Sequence, residues 1–290
     1  MTLPTQLRTR SETEAARLPP LLARAEHLAG TVLLGDHGRR RSGLGDDFWQ
    51  YRPVRPGDSM RMVDWRRSAK SDGQFVRERE WQVAQSVMLW VDQSASMGFG
   101  SVKGADTKCD RARVIALAVS ILLIRGGERV GLTGISLPPR RGEGQILRLT
   151  DRLLQPEDED YGSPEARAML PHARAVFLSD FLGKTDAVEA ALTKAADRGV
   201  RGVLMQVLDP AEESFPFRGR ALFESMGATL RHETKKADDL KARYLDRLAE
   251  RKARLTQLAR ATGWQFTSHR TDAPAQVALQ WLYRALERRG

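Results

Sequence analysis

The pattern of hydrophobic and polar residues changes near residue 86, where scattered apolar residues give way to continuous runs. Residues 87–91, with the sequence VMLWV, are all apolar, as in a strand covered on both faces. A long apolar helix is predicted next, over residues 110–125, and two glycines follow it. Thr107 and Asp110 have the spacing of an N-terminal cap. Because this helix is apolar almost all round, we expect it to lie buried against a sheet.

Strand-like and helix-like segments alternate through the rest of the chain. The pattern predicts strands over 129–136, 173–179, 200–208 and 264–268, helices over 185–198, 237–262 and 273–287, and a hairpin within 219–233. Such alternation indicates an α/β protein in which helices cover both faces of a mostly parallel sheet. The predicted fold class is therefore a Rossmann-like, doubly wound α/β domain over residues 86–290.

The first 85 residues have a different character. Residues 1–30 form a predicted N-terminal helical segment, which Pro19 and Pro20 interrupt. Residues 31–85 are rich in glycine, arginine and aromatic residues and contain two strand-like pieces, 47–52 and 74–81. We interpret this stretch as a small β-rich arm or subdomain.

Composition restricts the location and the partners. The single cysteine rules out an intrachain disulfide, and the longest apolar run, 114–124, is shorter than the roughly 20 residues of a membrane span. The first 20 residues lack the apolar block of a secretory signal, so we expect a cytoplasmic protein. The net charge of +10 would suit nucleic acid, an anionic membrane surface or an acidic protein. Because the arginines are scattered among acidic residues, the charge favours a solvated basic surface over a specific patch.

Candidate chemistry lies where the apolar strands end. Three predicted strands finish with an aspartate, namely Asp92, Asp180 and Asp209. In an open α/β sheet, ligands bind beyond the carboxyl ends of the strands. A single aspartate there is commonly a helix cap or a turn residue. Several on one rim suggest cation binding or acid–base chemistry.

The residues after the first of these strands could hold a metal ion. Asp92, Ser94 and Ser96 alternate, so in an extended loop their side chains project the same way. All three offer hard oxygen atoms, which suit Mg²⁺, or Mn²⁺ or Ca²⁺ in its place. A ligand set with so little charge leaves the cation open to an acidic side chain of a partner. The alternative is a polar turn in which the serines cap the following segment, and spacing alone does not separate the two.

The same residues resemble a known site. The sequence from Asp92 to Met97 is similar to the metal-ion-dependent adhesion site of von Willebrand factor A domains, and Asp180 matches the distal aspartate of that site. A long upstream block resembles the bacterial family called domain of unknown function 58, as does the downstream segment 207–212. The upstream residues that carry this resemblance are Tyr51, Arg52, Arg55, Gly57, Asp58, Arg61, Asp64, Trp65, Ser68, Ala69, Lys70, Val76, Arg77 and Glu80.

This resemblance, which covers about residues 30–285, implies a von Willebrand factor A-like fold with Asp92 and Asp180 on adjacent central strands. It implies a metal site of Asp92, Ser94, Ser96 and Asp180, with no catalytic residues. It also implies a non-enzymatic protein-interaction module, accessory to a MoxR-type AAA+ ATPase in the maturation or remodelling of a protein complex. The adhesion site normally gains a threonine from another loop. No clear Gly-x-x-Thr stands there, and Thr133 and Thr150 are the candidates for that position.

Two alternative functions remain from the sequence. The basic surface could bind nucleic acid, although we expect a protein partner, either the ATPase or an acidic substrate protein. A metal-dependent hydrolase would need a general base, for which Asp180 and Asp209 are the candidates. Other catalytic motifs fail: Gly183-Lys184-Thr185 lacks the first glycine of a P-loop, because that position is Leu178. The five histidines are isolated, and we expect them to lie at the surface or to be satisfied.

Overall fold

The structure of the protein is a computed structural model that describes residues 20–35, 48–54, 60, 63–69, 73–79, 85–134, 137–155, 159–164, 169–226 and 231–287. The chain divides into two units, a small one of residues 36–84 and a large one formed by 1–35 and 85–290. Helix α1 (Pro20–Gly35) belongs to the large unit.

The small unit contains the two strands that the sequence predicts. It consists of β1 (Phe48–Pro53), α2 (Trp65–Ser68) and β2 (Phe75–Arg79). The two strands pair antiparallel. Asp64 begins the short helix by accepting a 2.9 Å hydrogen bond from the backbone N–H of Arg67. Six residues of the upstream family block lie outside the described residues, namely Arg55, Gly57, Asp58, Arg61, Lys70 and Glu80.

The large unit contains most of the helices and strands. In chain order they are β3 (Ser86–Val91), α3 (Lys108–Arg125), β4 (Arg129–Leu132), β5 (Leu137–Arg140), α4 (Glu143–Leu153), β6 (Arg174–Ser179), α5 (Thr185–Asp197), β7 (Arg201–Leu208), α6 (Pro210–Ser214), β8 (Ala221–Glu224), β9 (Arg231–Thr234), α7 (Asp238–Ala261), β10 (Gln265–Arg270) and α8 (Ala275–Glu287). A single 3₁₀ turn, Ala95–Gly98, follows β3. Strands β8 and β9 form the predicted hairpin.

Six strands form one sheet in the order β10-β7-β6-β3-β4-β5. The β4–β5 pair is antiparallel and the other neighbours are parallel. From β3 the chain builds outward through β4 and β5, then returns to the other side of β3 with β6 and continues to β7 and β10. The order therefore reverses between β3 and β6, which is where a doubly wound sheet opens a crevice at its carboxyl end. The mixed α/β fold with a mostly parallel sheet confirms the predicted fold class.

Alternating residues of the central strands pack on opposite faces of the sheet. On one face, Leu89 and Val91 join a core formed with α1, α3, α4 and α8. On the other, Trp90 and Phe177 join a core formed with α5 and α7. Helix α3 is buried along most of its length, as its apolar sequence predicts. Its N-terminal cap is also as predicted, because the Thr107 hydroxyl accepts a 3.1 Å hydrogen bond from Asp110 N–H.

Two elements differ from the sequence-based expectation. The predicted strand 129–136 ends at Leu132, and the chain turns at Thr133 and Gly134 into β5, which the sequence did not indicate. Pro138 and Pro139 argue against a strand, because proline lacks the N–H that pairs strands. They are tolerated here because β5 lies at the edge of the sheet. Helix α4 was also not predicted. None of the helices in the described ranges has the length and apolar character needed to cross a bilayer.

His269 in β10 corrects the expectation that all histidines are exposed or satisfied. It is buried, and its Nε2 atom has no hydrogen-bond partner among the described residues. Burial, together with the nearby charge of Arg111, lowers its pKa to about 4. The folded protein therefore holds this imidazole neutral down to a pH at which the unfolded chain would already be protonated.

We expect His269 to make the protein less stable in weak acid. The pKa of His269 in the folded protein lies below the unfolded value of about 6.5. Its contribution to the free energy of unfolding is therefore constant above about pH 6.5 and decreases as the pH falls toward 4. The loss is on the order of 2–3 kcal/mol. Urea unfolding of wild type and His269→Leu from pH 7.5 to 4.5 measures it. The free-energy difference between the two should shift in favour of the variant as pH falls; a difference that does not vary with pH contradicts this assignment.

Candidate metal-binding site at the carboxyl rim

Three buried aspartates lie at the carboxyl ends of neighbouring strands, on what is called here the carboxyl rim (residues 92–98, 179–182 and 206–212). Asp92 follows β3, Asp180 follows β6 and Asp209 follows β7, and each is 1% exposed. Strands β3 and β6 are hydrogen-bonded neighbours, and the N–H of Asp92 donates to the carbonyl of Leu178 at 2.9 Å. Asp92 and Asp180 thus flank the position where the strand order reverses, as the family resemblance implies.

Asp92 is held at the start of the loop by two hydrogen bonds. Its Oδ1 atom accepts the N–H of Ser94 at 3.0 Å, and its Oδ2 atom accepts the hydroxyl of Ser179 at 2.6 Å. The hydroxyl oxygens of Ser94 and Ser96 lie 3.3 Å apart and form a hydrogen bond with each other. The alternating sequence thus brings both serine hydroxyls together beside the turn, and the backbone of Ser94 against the carboxylate.

No positive charge compensates Asp92 within the described part of the chain. Its hydrogen bonds come from Ser94 and Ser179, which are both neutral residues. Burial raises the pKa of Asp92, the nearby charge of Asp180 adds to the rise, and hydrogen bonds from Ser179 and Ser94 partly oppose it. A buried carboxylate without a counter-charge is costly, because a charge in a low-dielectric site loses its hydration. The site is therefore short of positive charge.

Asp180, in contrast, is already paired with a cation. The Lys108 ammonium lies 2.8 Å from Oδ2 of Asp180 and 2.5 Å from Oε1 of Glu212. The other oxygen of Asp180 accepts the N–H of Leu182 at 2.9 Å. Burial lowers the pKa of Lys108, but the charges of Asp180 and Glu212 outweigh burial, so its pKa is raised and the lysine is charged. Both Asp180 oxygens thus have protein partners.

Asp209 caps helix α6 and also holds the loop that contains Ser101. Its Oδ1 atom accepts the N–H of Ala211 at 2.8 Å. The N–H of Asp209 in turn donates to Oε2 of Glu212 at 2.9 Å, which completes a capping box for α6. It also accepts the N–H of Ser101 at 2.9 Å and the Ser101 hydroxyl. Asp209 therefore anchors the loop between the serines and α3, and its carboxylate has no oxygen without a partner.

The segment 159–162 lies over the Asp92 loop. The carbonyls of Glu159 and Asp160 accept the N–H groups of Ala95 and Ser96 at 2.8 and 3.0 Å. At Gly162 the backbone approaches the carboxylate so closely that an added side-chain carbon would lie 2.6 Å from Cγ of Asp92. This segment, which the sequence did not indicate, covers the site.

Of the two threonines considered for the site, one is engaged elsewhere. Thr150 lies within α4, where its hydroxyl donates to the carbonyl of Ile146 at 2.9 Å. Thr133 follows β4 and is buried, with its hydroxyl unpaired within the described residues. Its backbone N–H pairs with Leu89, three residues before Asp92.

If Asp92 holds a cation, as the sequence predicts, Gly162→Ala should weaken its binding about tenfold or more, because the new methyl group must displace either the covering segment or Asp92. Calorimetric titration with Mn²⁺ measures this. Gly98→Ala is the matched control on the same rim, since its methyl group would only meet the flexible Met226 side chain at 3.6 Å. Equal affinities for the two variants would contradict the close approach at Gly162.

The two serine hydroxyls have a spacing compatible with a small, hard cation. Within the described residues, no three His, Cys, Asp or Glu side chains are placed to share a metal ion, so a cation here depends on the serine hydroxyls. Adjacent ligands of an octahedral Mg²⁺ lie about 3 Å apart. The 3.3 Å separation of the Ser94 and Ser96 hydroxyl oxygens is close to that value. Asp92 would supply the charge for such a cation, because each of its oxygens keeps a further lone pair.

Comparison with known proteins connects this chain to a family. Residues 50–254 match the family model described as protein of unknown function DUF58. Uncharacterized proteins of Mycobacterium bovis and Mycobacterium tuberculosis are 27% identical over 277 residues, which cover 89% of this chain and 85% of theirs. An aerotolerance-related membrane protein from Bacteroides fragilis matches with 16% identity and a TM-score of 0.42, covering 70% of this chain and 98% of that one. BatB from Bacteroides thetaiotaomicron matches with 13% identity and a TM-score of 0.34, covering 69% and 98%.

Proposed function

The chain belongs to the DUF58 family, and we propose that it is a non-enzymatic protein-interaction module that presents a divalent cation to a partner. In this proposal Asp92, Ser94 and Ser96 hold the cation, which is Mg²⁺ or, in its place, Mn²⁺ or Ca²⁺. Asp180 contributes its charge, or a contact through water, because its two oxygens already bond to Lys108 and Leu182. The partner is a MoxR-type AAA+ ATPase or an acidic substrate protein.

The observation that carries the proposal is the uncompensated charge of Asp92. This carboxylate is buried, bonds to no lysine, arginine or histidine in the described chain, and lies in a loop whose two serine hydroxyls lie close together. A divalent cation would supply the missing positive charge and would lower the pKa of Asp92. With one carboxylate and two hydroxyls as protein ligands, such a cation keeps positions open for a carboxylate from another protein.

The surface beside the rim supports a protein partner. Met226 lies against Gly98 of the 3₁₀ turn and is 52% exposed, and Val102 in the loop anchored by Asp209 is 51% exposed. Ser225, next to Met226, donates its hydroxyl to Asp160 of the covering segment at 3.2 Å. Covering exposed apolar side chains of this kind with a partner is favourable, because it removes apolar surface from water.

The contacts on the rim argue against the hydrolase alternative. Its two candidate bases are both engaged: Asp180 bonds to Lys108, and Asp209 bonds to Ser101 and Ala211. Neither carboxylate is left as a ready acceptor for a proton from water.

Binding to a purified MoxR-type ATPase from the same organism tests the proposal. We expect binding in Mg²⁺ to fall at least tenfold when EDTA is added, and to fall equally with Asp92→Ala in Mg²⁺. Repeating the assay at increasing salt concentration tests whether binding is mainly electrostatic, as binding to nucleic acid would be, because such an affinity falls steeply with salt. Binding that persists unchanged through both chelation and Asp92→Ala would refute the cation bridge.

A further inference from the structure

Lys108 is placed where lysine is ordinarily unfavourable. It is 1% exposed, although a buried ammonium loses its hydration, and it is the first residue of α3, where the helix dipole repels a positive charge. Its ammonium also lies 5.8 Å from the centre of the Phe99 ring. Such a position needs a compensating interaction, and two carboxylates provide it.

The two carboxylates follow different strands of the sheet. Asp180 comes directly after β6, and Glu212 lies in α6, the helix that follows β7. The ammonium lies 2.8 Å from Asp180 and 2.5 Å from Glu212, and the second oxygen of Glu212 accepts the N–H of Asp209 at 2.9 Å. Lys108 thus links the start of α3 to the ends of two neighbouring strands.

The carboxyl rim therefore contains two anionic centres, of which only one is paired with a positively charged side chain. Asp180 and Glu212 share an ammonium that belongs to the chain, whereas Asp92 bonds only to Ser94 and Ser179. A divalent cation that entered between Asp180 and Glu212 would have to displace Lys108, and a second cation so close to the ammonium would be repelled.

We infer that Lys108 is the rim's own cation: its ammonium pairs with Asp180 and Glu212, offsets one of their two negative charges, and so directs any divalent cation to the Asp92 side. Lys108 acts as a positioning residue that determines which oxygens a cation can reach. The direction of a divalent cation to Asp92 rests on the proposed function, whereas the pairing of Lys108 with the two acids holds whether or not Asp92 binds a metal ion.

Lys108→Met in an Asp92→Asn background tests the inference, because this background removes the proposed Asp92 site. Methionine keeps the unbranched shape of lysine and leaves Asp180 and Glu212 facing an uncharged side chain. We expect the melting temperature to fall by roughly 10 °C relative to Asp92→Asn alone. Millimolar Mn²⁺ should restore at least half of that loss by taking the place of the ammonium, and should leave Asp92→Asn itself unchanged.

A control variant separates charge from packing. Adding Asp180→Asn and Glu212→Gln to Lys108→Met removes both acids, and this variant should regain most of the stability without responding to Mn²⁺. It also decides the matter if Lys108→Met does not fold. The inference is overturned if Lys108→Met in the Asp92→Asn background has the same melting temperature as Asp92→Asn alone. It is also overturned if neither Mn²⁺ nor removal of the two acids restores stability. If Lys108→Met responds to Mn²⁺ and the wild type does not, the Asp92 proposal fails and the role of Lys108 as the cation of Asp180 and Glu212 stands.

Discussion

Asp92→Asn is expected to abolish the thermal stabilisation that Mg²⁺ or Mn²⁺ gives the wild-type protein. A cation that binds only the folded state at about 100 times its dissociation constant adds about 2.7 kcal/mol. For a chain of this size that corresponds to a rise of roughly 5–10 °C in melting temperature. Asparagine keeps the shape of Asp92 and can still accept the Ser94 N–H, but it lacks the charge that holds the cation. Thermal melting with increasing Mg²⁺, and after EDTA, measures the effect.

The matched control for this prediction is Asp151→Asn, which removes an exposed carboxylate from α4. It should retain the full response to the cation. Ser94→Ala and Ser96→Ala should each retain part of it, because each removes one neutral ligand. The proposal fails if Asp92→Asn and the wild type respond equally.

Without added metal, the same Asp92→Asn variant should be at least as stable as the wild type at neutral pH. Because burial raises the folded pKa of Asp92 above 3.8, the folded state binds a proton more readily than the unfolded chain. The charged carboxylate therefore costs stability at any pH above that raised pKa. Removing it relieves the cost, which is the pattern expected when stability is given up for a binding site.

Gly202→Ala is expected to lower the free energy of unfolding by about 3 kcal/mol. Gly202 lies in β7 beside Ala175 of β6. An added methyl carbon would lie 2.9 Å from the carbonyl carbon of Ala175 and 3.0 Å from the Trp264 ring. Backbone on one side and a buried indole on the other leave no flexible group to move. Denaturant unfolding of the two proteins gives the free-energy difference directly.

Gly30→Ala provides the opposite result as a control for the Gly202 variant. Gly30 lies inside α1, and nothing in the described chain lies within 4 Å of the added methyl carbon. Alanine there should raise the free energy of unfolding by about 1 kcal/mol, because it favours the helix. A Gly202→Ala variant that is as stable as the wild type would show that β6 and β7 are less closely packed than the structure has them.

The fold could be predicted largely because its central strands are buried on both faces. Continuous apolar runs such as 87–91 and the long apolar segment of α3 leave few alternatives, and the structure places both as expected. The edge of the sheet could not be predicted in the same way. At β5, Pro138 and Pro139 suggest a loop, and only their position on the outer strand makes them compatible with a sheet.

The site was predicted in part. The strand-end rule brought Asp92 and Asp180 to one rim, because it depends only on strand direction. It could not show that Lys108, which lies 72 residues before Asp180 in the sequence, would form a salt bridge with Asp180. A lysine in the first turn of an apolar helix was the available signal. Glu212 had a second signal, since Asp209 and Glu212 have the spacing of a capping box. Whether Asp92, Ser94, Ser96 and Asp180 bind a metal ion stays a prediction.

Anomalous diffraction from crystals grown with Mn²⁺ tests the central claim most directly. The proposal predicts one strong peak within about 2.6 Å of an Asp92 oxygen and near the hydroxyls of Ser94 and Ser96, with Lys108 still bonded to Asp180 and Glu212. A rim without a peak at saturating Mn²⁺, or a peak between Asp180 and Glu212 with Lys108 displaced, would contradict it.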